Sequence, residues 1–159
     1  MKLNTKSARF VRDMGEAPQA GGVTPTAGRL LGLLLLSQKP VSLDEACHLL
    51  GASKGPVSTN ARTLLALGLA QRVRYPRDRR DYYEVAPGTF ERQLSLRVEE
   101  LRAWREVGAS GLEAVDAGDG LARSRLEEMH ELCDFLGGEM EAMMGRWRAR
   151  RGRSPAADI

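Results

Sequence analysis

The chain has 159 residues, 42% hydrophobic and 28% charged, with a formal net charge of +3 and a pI of about 9.1. That length supports one compact core plus a helical extension, and so mild a charge excludes arguing for a polyanion partner from the total alone. Two cysteines exclude a disulfide scaffold, the N-terminus lacks the apolar core of a signal peptide, and the leucine-rich run from Leu30 to Leu36 is far short of the roughly 20 residues of a bilayer span, so an intracellular, cytoplasmic protein is expected.

Leu3, Phe10, Val11 and Met14, with Lys6, Arg9 and Arg12 between them, give residues 3–14 the period of a short amphipathic helix. Gly15 to Gly22, with Pro18, reads as a linker, and residues 1–22 as an N-terminal arm whose stripe makes a dimer contact. Thr24 caps the next helix, with Pro25 at its first position, and the segment to Ser37 is apolar nearly all round, as a central buried helix is. Gly28 and Gly32 let another helix approach closely. No strand precedes them, so they do not read as a phosphate loop.

Lys39-Pro40 stops this helix, Val41 begins a short edge strand, and Ser42-x-x-Glu45 forms a capping box ahead of Ala46, Leu49 and Leu50. Gly51-Ala52 then turns into the stretch on which the reading depends, Ser53 to Gly68. Ser53 supplies a cap, Pro56 falls in the first turn where its missing N–H is harmless, and Gly68 takes the left-handed conformation that ends the helix. At about 100° per residue Val57, Ala61, Leu64 and Leu65 share one face. Gly55, Thr59, Arg62, Thr63 and Ala66 lie opposite, and no carboxylate is among them. Ordinary solvated faces mix both signs of charge; a small, polar, basic face suits the major groove of a duplex.

Leu69, Gln71, Val73 and Tyr75 alternate with Arg72 and Arg74 as a strand, Pro76 to Asp81 forms an arginine-rich turn, and Tyr82, Tyr83 and Val85 return. Arginines at such a tip fit a narrow minor groove, while Asp78, Asp81 and Glu84 are available to pair with some of them. Thr89 caps a helix with Phe90, Leu94, Val98, Leu101 and Trp104, expected to run to about Gly108, weakened there by Gly108 and Gly111, with a loop from Asp116 to Gly120. In the last helix Leu126, Met129, Cys133, Leu136, Met140, Met143 and Trp147 step alternately by three and four, the seam of a coiled coil that needs another helix. Arg146, Arg148, Arg150, Arg151 and Arg153 begin a basic tail that is expected to stay solvated, with 151–159 flexible. Charge is uneven: nine basic residues face five acids over 23–88, whereas eight acids face Arg123 and Arg125 over 116–145.

No catalytic constellation emerges. Cys47 and His48 are about 100° apart on a helix and cannot work as nucleophile and base. Glu127-x-x-His130 with Cys133 has helical metal-site spacing, but Cys133 belongs to the seam and no second ligand helix is visible. Neither metal nor cofactor is expected, and an intersubunit Cys133 disulfide is a minor alternative to a buried thiol.

In this order the motifs are those of a winged helix-turn-helix, and the residues resemble the GbsR-type branch of the MarR family of bacterial transcriptional regulators. The resemblance rests on Ala27-Gly28-Arg29-Leu30-Leu31-Gly32, Ser42-Leu43-Asp44-Glu45, Ser53-Lys54-Gly55-Pro56-Val57-Ser58, Arg62-x-Leu64, Gly68-Leu69 and Asp78-Arg79-Arg80-Asp81-Tyr82-Tyr83-Glu84. It implies a mainly α fold with a small β-hairpin wing: a winged helix-turn-helix domain over 23–88 and long terminal helices, 89–150, forming a dimerisation region. It further implies a homodimer on a pseudo-palindromic operator in double-stranded DNA, activating or repressing in response to an effector. Choline, sensed by known members, needs an aromatic cage. Only Phe10, Phe90, Trp104, Phe135 and Trp147 lie outside the DNA-binding region, three of them at core positions, so the effector stays open. Ser53 is expected to cap the helix or bind phosphate; Lys54, Pro56, Ser58, Thr59 and Arg62 face the groove; Arg77, Arg79 and Arg80 serve the wing. The alternative is a winged-helix adaptor that binds protein and not DNA.

Overall fold

The computed structural model describes residues 2–17, 23–116 and 118–152. The expected linker from Pro18 to Gly22 and the tail from Arg153 lie outside them. The elements are α1 (Thr5–Glu16), α2 (Pro25–Leu36), β1 (Val41–Ser42), α3 (Leu43–Leu50), α4 (Lys54–Ala66), β2 (Gln71–Val73), β3 (Tyr82–Glu84), α5 (Thr89–Ala114) and α6 (Gly120–Gly152). They fall into two compact units, Met1–Thr89 and Phe90–Ile159. No helix among the described residues is long and apolar enough to cross a membrane.

In the first unit α2 is the centre. Ala27, Leu30, Leu31, Leu33 and Leu34 are buried, and they gather Val11 of α1, Ala46 and Leu50 of α3, Val57, Ala61 and Leu64 of α4, and Val41 and Tyr83 of the sheet. Helix starts are set by side-chain oxygens accepting backbone N–H groups: Asn4 from Ser7 at 2.9 Å, Thr24 from Ala27 at 3.1 Å and Ser42 from Glu45 at 3.3 Å. Helix α3 ends in a Schellman turn at Gly51, φ +59°, where the Gly51 and Ala52 amides return to the carbonyls of His48 and Cys47. The Arg29 guanidinium donates to the Leu50 carbonyl at 2.6 Å, placing a cation at the negative end of the same helix.

The N-terminal helix continues through Gly15 to Glu16, so the linker begins later than its first glycine suggests. Gly15 is helical because it is a packing position: a Cβ there would lie 2.6 Å from Arg29 Cγ and 2.9 Å from the Pro25 carbonyl oxygen. On the facing helix, a Cβ on Gly32 would lie 3.0 Å from Met14 Cβ. The stripe of Leu3, Val11 and Met14 therefore finds a partner in α2 of its own chain. The three strands run in the order β1-β3-β2, all antiparallel, with Val41 and Arg72 on either side of Tyr83.

The second unit is an antiparallel helical hairpin. Helix α5 does not stop near Gly108 but reaches Ala114, because its glycines admit the neighbouring helix: a Cβ on Gly108 would meet His130 Cβ at 3.2 Å, and one on Gly111 would meet Leu126 Cδ2 at 2.9 Å. Further along, Arg105 pairs with Asp134 at 3.0 Å and Arg102 Nε with Glu141 at 2.9 Å, while Arg148 pairs with Glu91. Thr89 does not cap α5 in the expected way, since both its hydroxyl and its amide donate to the Ala86 carbonyl. Helix α6 includes Arg151 and Gly152, residues expected in the tail.

Replacing Gly15 by alanine is expected to destabilise the first unit by about 1–3 kcal/mol through overpacking, despite alanine's better helix propensity. Urea unfolding checks this; an unchanged midpoint would mean that α1 and α2 are not in backbone-close contact.

Candidate nucleic-acid interface

Helix α4 is divided lengthwise. Val57, Asn60, Ala61 and Leu64 are buried, whereas Ser53, Lys54, Gly55, Pro56, Thr59, Arg62 and Ala66 are exposed and Ser58 is half-buried. The C-terminal end is closed by a second Schellman turn: Gly68 has φ +65°, its amide bonds the Leu65 carbonyl at 3.0 Å, and the Leu69 amide bonds Leu64 at 2.9 Å. Ser53 stands at the N-cap with extended backbone, but its hydroxyl makes no capping bond. The N–H groups of the first turn thus keep their outward partial positive charge, the arrangement that receives a phosphate at a helix start.

The cations divide into two sets. Lys54 Nζ lies 2.8 Å from Asp44 Oδ1 at the start of α3, and this bond raises the lysine's pKa. Lys54 thus fastens α3 to α4 as well as facing out. Arg62 has only a long 3.5 Å contact from its Nε to the Ser58 carbonyl and, among the described residues, no carboxylate partner. Arg62 is available.

The wing repeats this division. Tyr75 to Asp78 forms a turn closed by the Asp78 amide on the Tyr75 carbonyl at 3.2 Å, with Pro76 second and Arg77 third at φ +67°. That is type II geometry, with arginine where glycine is usual. Asp78 then accepts from the Arg80 amide at 2.9 Å, from the Arg80 guanidinium at 2.6 Å and from the Tyr82 hydroxyl at 2.8 Å. The Arg80 guanidinium also lies 5.4 Å from the Tyr82 ring centroid, and Tyr82 meets Tyr75 edge to face at 4.9 Å. On the other side Asp81 accepts from Arg74 at 3.0 Å and from Arg72 at 3.4 Å, while Glu84 bonds Gln71 instead of an arginine. Arg80, Arg72 and Arg74 are therefore neutralised in place. Among the described residues, Arg77 and Arg79 have no ion-pair partner and project from a tip that the others hold together.

One polar residue missed by the sequence reading stands behind α4. Asn60 lies on its buried face and bonds Thr24, the cap of α2. The signal was present, since position 60 shares a face with Val57 and Leu64 in a 3.6-residue period, and one amide on an apolar stripe requires a partner.

In the second unit the expected seam is shared between two faces of α6. Leu126, Met129, Cys133 and Met140 are half-buried and Met144 is buried, whereas Leu136, Met143 and Trp147 are 38–45% exposed. Leu126 and Met129 of the expected seam lie against Gly111 and Gly108 of α5, with His130 beside them and Gly137 opposite Leu101. The three aromatics expected at core positions are also outside the core, since Phe10, Phe90, Trp104, Phe135 and Trp147 are all exposed. His130 Nδ1 lies 3.0 Å from the Arg105 carbonyl, and both cysteines are free thiols. The described residues include no group of three metal-ligating side chains.

The profile of the MmpR5-like MarR family of transcriptional regulators matches residues 88–150. The HTH-type transcriptional regulator MmpR5 of Mycobacterium tuberculosis is 32% identical over 144 residues, covering 90% of this chain and 87% of that protein. The Bacillus subtilis regulators YvaV and OpcR are 31% and 28% identical over 87 residues, 55% of this chain and 49% and 47% of theirs. A crystal structure described as a transcriptional regulator superposes with a TM-score of 0.73 at 32% identity, covering 91% of this chain and 99% of its own.

Hydrogen bonding from Arg80 and Tyr82 holds the Asp78 carboxyl well below the usual carboxylate range, and Arg74 with Arg72 lowers that of Asp81. A carboxylate with a lower pKa folded than unfolded adds stability above its ordinary value of about 3.9, and loses it as pH falls through the folded value. Carboxyl-carbon NMR is expected to show both groups titrating low, with Asp78 lower, and the Tyr75–Tyr82 near-UV dichroism persisting until they protonate. An ordinary midpoint for Asp78 would contradict the wing geometry.

Proposed function

The chain belongs to the MarR family of transcriptional regulators, and on that footing we propose that it acts as a homodimer binding duplex DNA sequence-specifically. The observation that carries this reading is the sorting of charge: among the described residues Arg62, Arg77 and Arg79 lack carboxylate partners, and the face of α4 that carries Arg62 has no acid. Placed in a major groove, Ser58, Thr59 and Arg62 offer hydroxyls and a bidentate guanidinium to base edges, with Arg62 the residue for guanine. The open amides at Ser53 and Lys54 receive a backbone phosphate, and Arg77 and Arg79 enter the minor groove beside it.

Dimerisation is supported by the second unit's surface. Leu136, Met143 and Trp147 form a stripe with Leu132 and Phe135 at its edge, and leaving so much contiguous apolar surface in water is unfavourable. A second copy covers it with an identical stripe, which a two-fold axis requires. Two α4 helices held at a fixed separation then match two half-sites of a pseudo-palindrome.

The binding reading is checked by titrating random-sequence duplex at several salt concentrations. The wild type is expected to show a steep inverse dependence, and Arg77→Ala and Arg79→Ala each to lower the slope by about one without altering sequence preference. Arg62→Ala is expected to cost roughly 1–3 kcal/mol on a selected site and to relax one base position. A flat salt response from the wild type would favour an adaptor that binds protein.

Trp147→Asp is expected to shift the sedimentation coefficient from dimer toward monomer, by placing an unpaired charge in the buried stripe. An unchanged dimer would locate the interface elsewhere.

A further inference from the structure

Asn60 is 8% exposed and is the one polar residue among the buried positions of α4. Its Nδ2 donates to the Pro56 carbonyl at 2.8 Å, and its Oδ1 accepts from the Thr24 hydroxyl at 2.5 Å. The same Thr24 oxygen accepts the Ala27 N–H at 3.1 Å as the cap of α2. An amide N–H can only donate and a backbone carbonyl can only accept, so the two ends fix the direction of every bond between them. The relay from Ala27 through Thr24 and Asn60 to Pro56 joins the first turn of α2 to the first turn of α4.

Adhesion alone does not require it. Val57, Ala61 and Leu64 already hold α4 against the core, and a leucine at position 60 would add apolar contact where an amide instead incurs desolvation. What the amide adds is direction. Apolar contact resists separation but is nearly indifferent to small rotations and shifts of a helix, whereas a hydrogen bond weakens steeply as it bends or lengthens. We infer that Thr24 and Asn60 are positioning residues that fix the rotation and axial register of α4 on α2, so that Ser58, Thr59 and Arg62 meet a constant set of base edges. This rests on the DNA-binding reading above, and it assigns sequence discrimination partly to a pair that touches no DNA.

The test compares a duplex selected by the wild type from a random pool with a scrambled duplex of the same length, at one salt concentration, with the melting temperature recorded for each variant. Thr24→Ser keeps the hydroxyl and is expected to match the wild type. Thr24→Val and Asn60→Leu are each expected to lose about tenfold on the selected duplex and nothing on the scrambled one, with Asn60→Leu at least as stable as the wild type. Because both act through one relay, the double variant is expected to lose no more than either single. Retained discrimination in Asn60→Leu, or equal losses on both duplexes in step with a lower melting temperature, would overturn the inference. If Asn60→Leu does not fold, the contrast between Thr24→Val and Thr24→Ser decides by the same criterion. A wild type that selects a sequence, with relay-less variants that discriminate as well as it does, removes this inference alone; a wild type that selects no sequence removes the parent reading and this one with it.

Discussion

The molecule depends on how α4 is held against α2. Val57, Ala61 and Leu64 enter a core built around Leu30 and Leu33, and the side chains of that face provide the attachment. The opposite face is thereby released from any structural duty. It needs no large apolar group for packing and no acid for intrahelical pairing, so glycine, threonine and arginine can stand there with little loss of stability. An acid-free exposed face is the visible result of a division of labour within thirteen residues.

The wing meets the opposite difficulty. A three-stranded sheet whose strands are two or three residues long has little hydrogen-bonded length, and only Tyr83 among its aromatics is buried. Its tip is held by polar contacts instead: one carboxylate collects an amide, a guanidinium and a phenol, and another gathers two arginines from β2 and the residue after it. Exposed ion pairs contribute little singly, but several sharing one acceptor limit the conformations of a short loop. The same contacts determine which guanidiniums are paired within the protein and which, among the described residues, stay without a carboxylate.

Much of this was legible because the signals are local. The Thr24 and Ser42 caps, the Gly51 and Gly68 turns and the inward face of α4 follow from dihedral and hydrogen-bonding preferences acting over four or five residues. The departures share a different cause, which is contact with a remote segment. Gly15, Gly108 and Gly111 read as helix ends because glycine has low intrinsic propensity, yet a Cβ would clash at Gly15 and Gly111 and be tightly crowded at Gly108, and tertiary packing overrides propensity. The period of the α6 seam was legible, but a stripe broad enough for two partners does not say which of its members α5 takes. Ser53 kept its cap position and lost its capping bond. Lys54 acquired a carboxylate from α3, and Asn60 acquired a hydroxyl thirty-six residues away. Apart from the lone amide on the apolar stripe of α4, none of these encounters leaves a trace in a window of neighbouring residues.

Arg77 occupies the one left-handed position among the described non-glycine residues. An L-side chain there carries roughly 1–2 kcal/mol of backbone strain that glycine would relieve. Stability and ligand attraction consequently pull this site in opposite directions. A variant screened for heat resistance would drift toward glycine and a blunter, less cationic tip, so this turn holds its outward charge at the expense of an uncomfortable backbone angle.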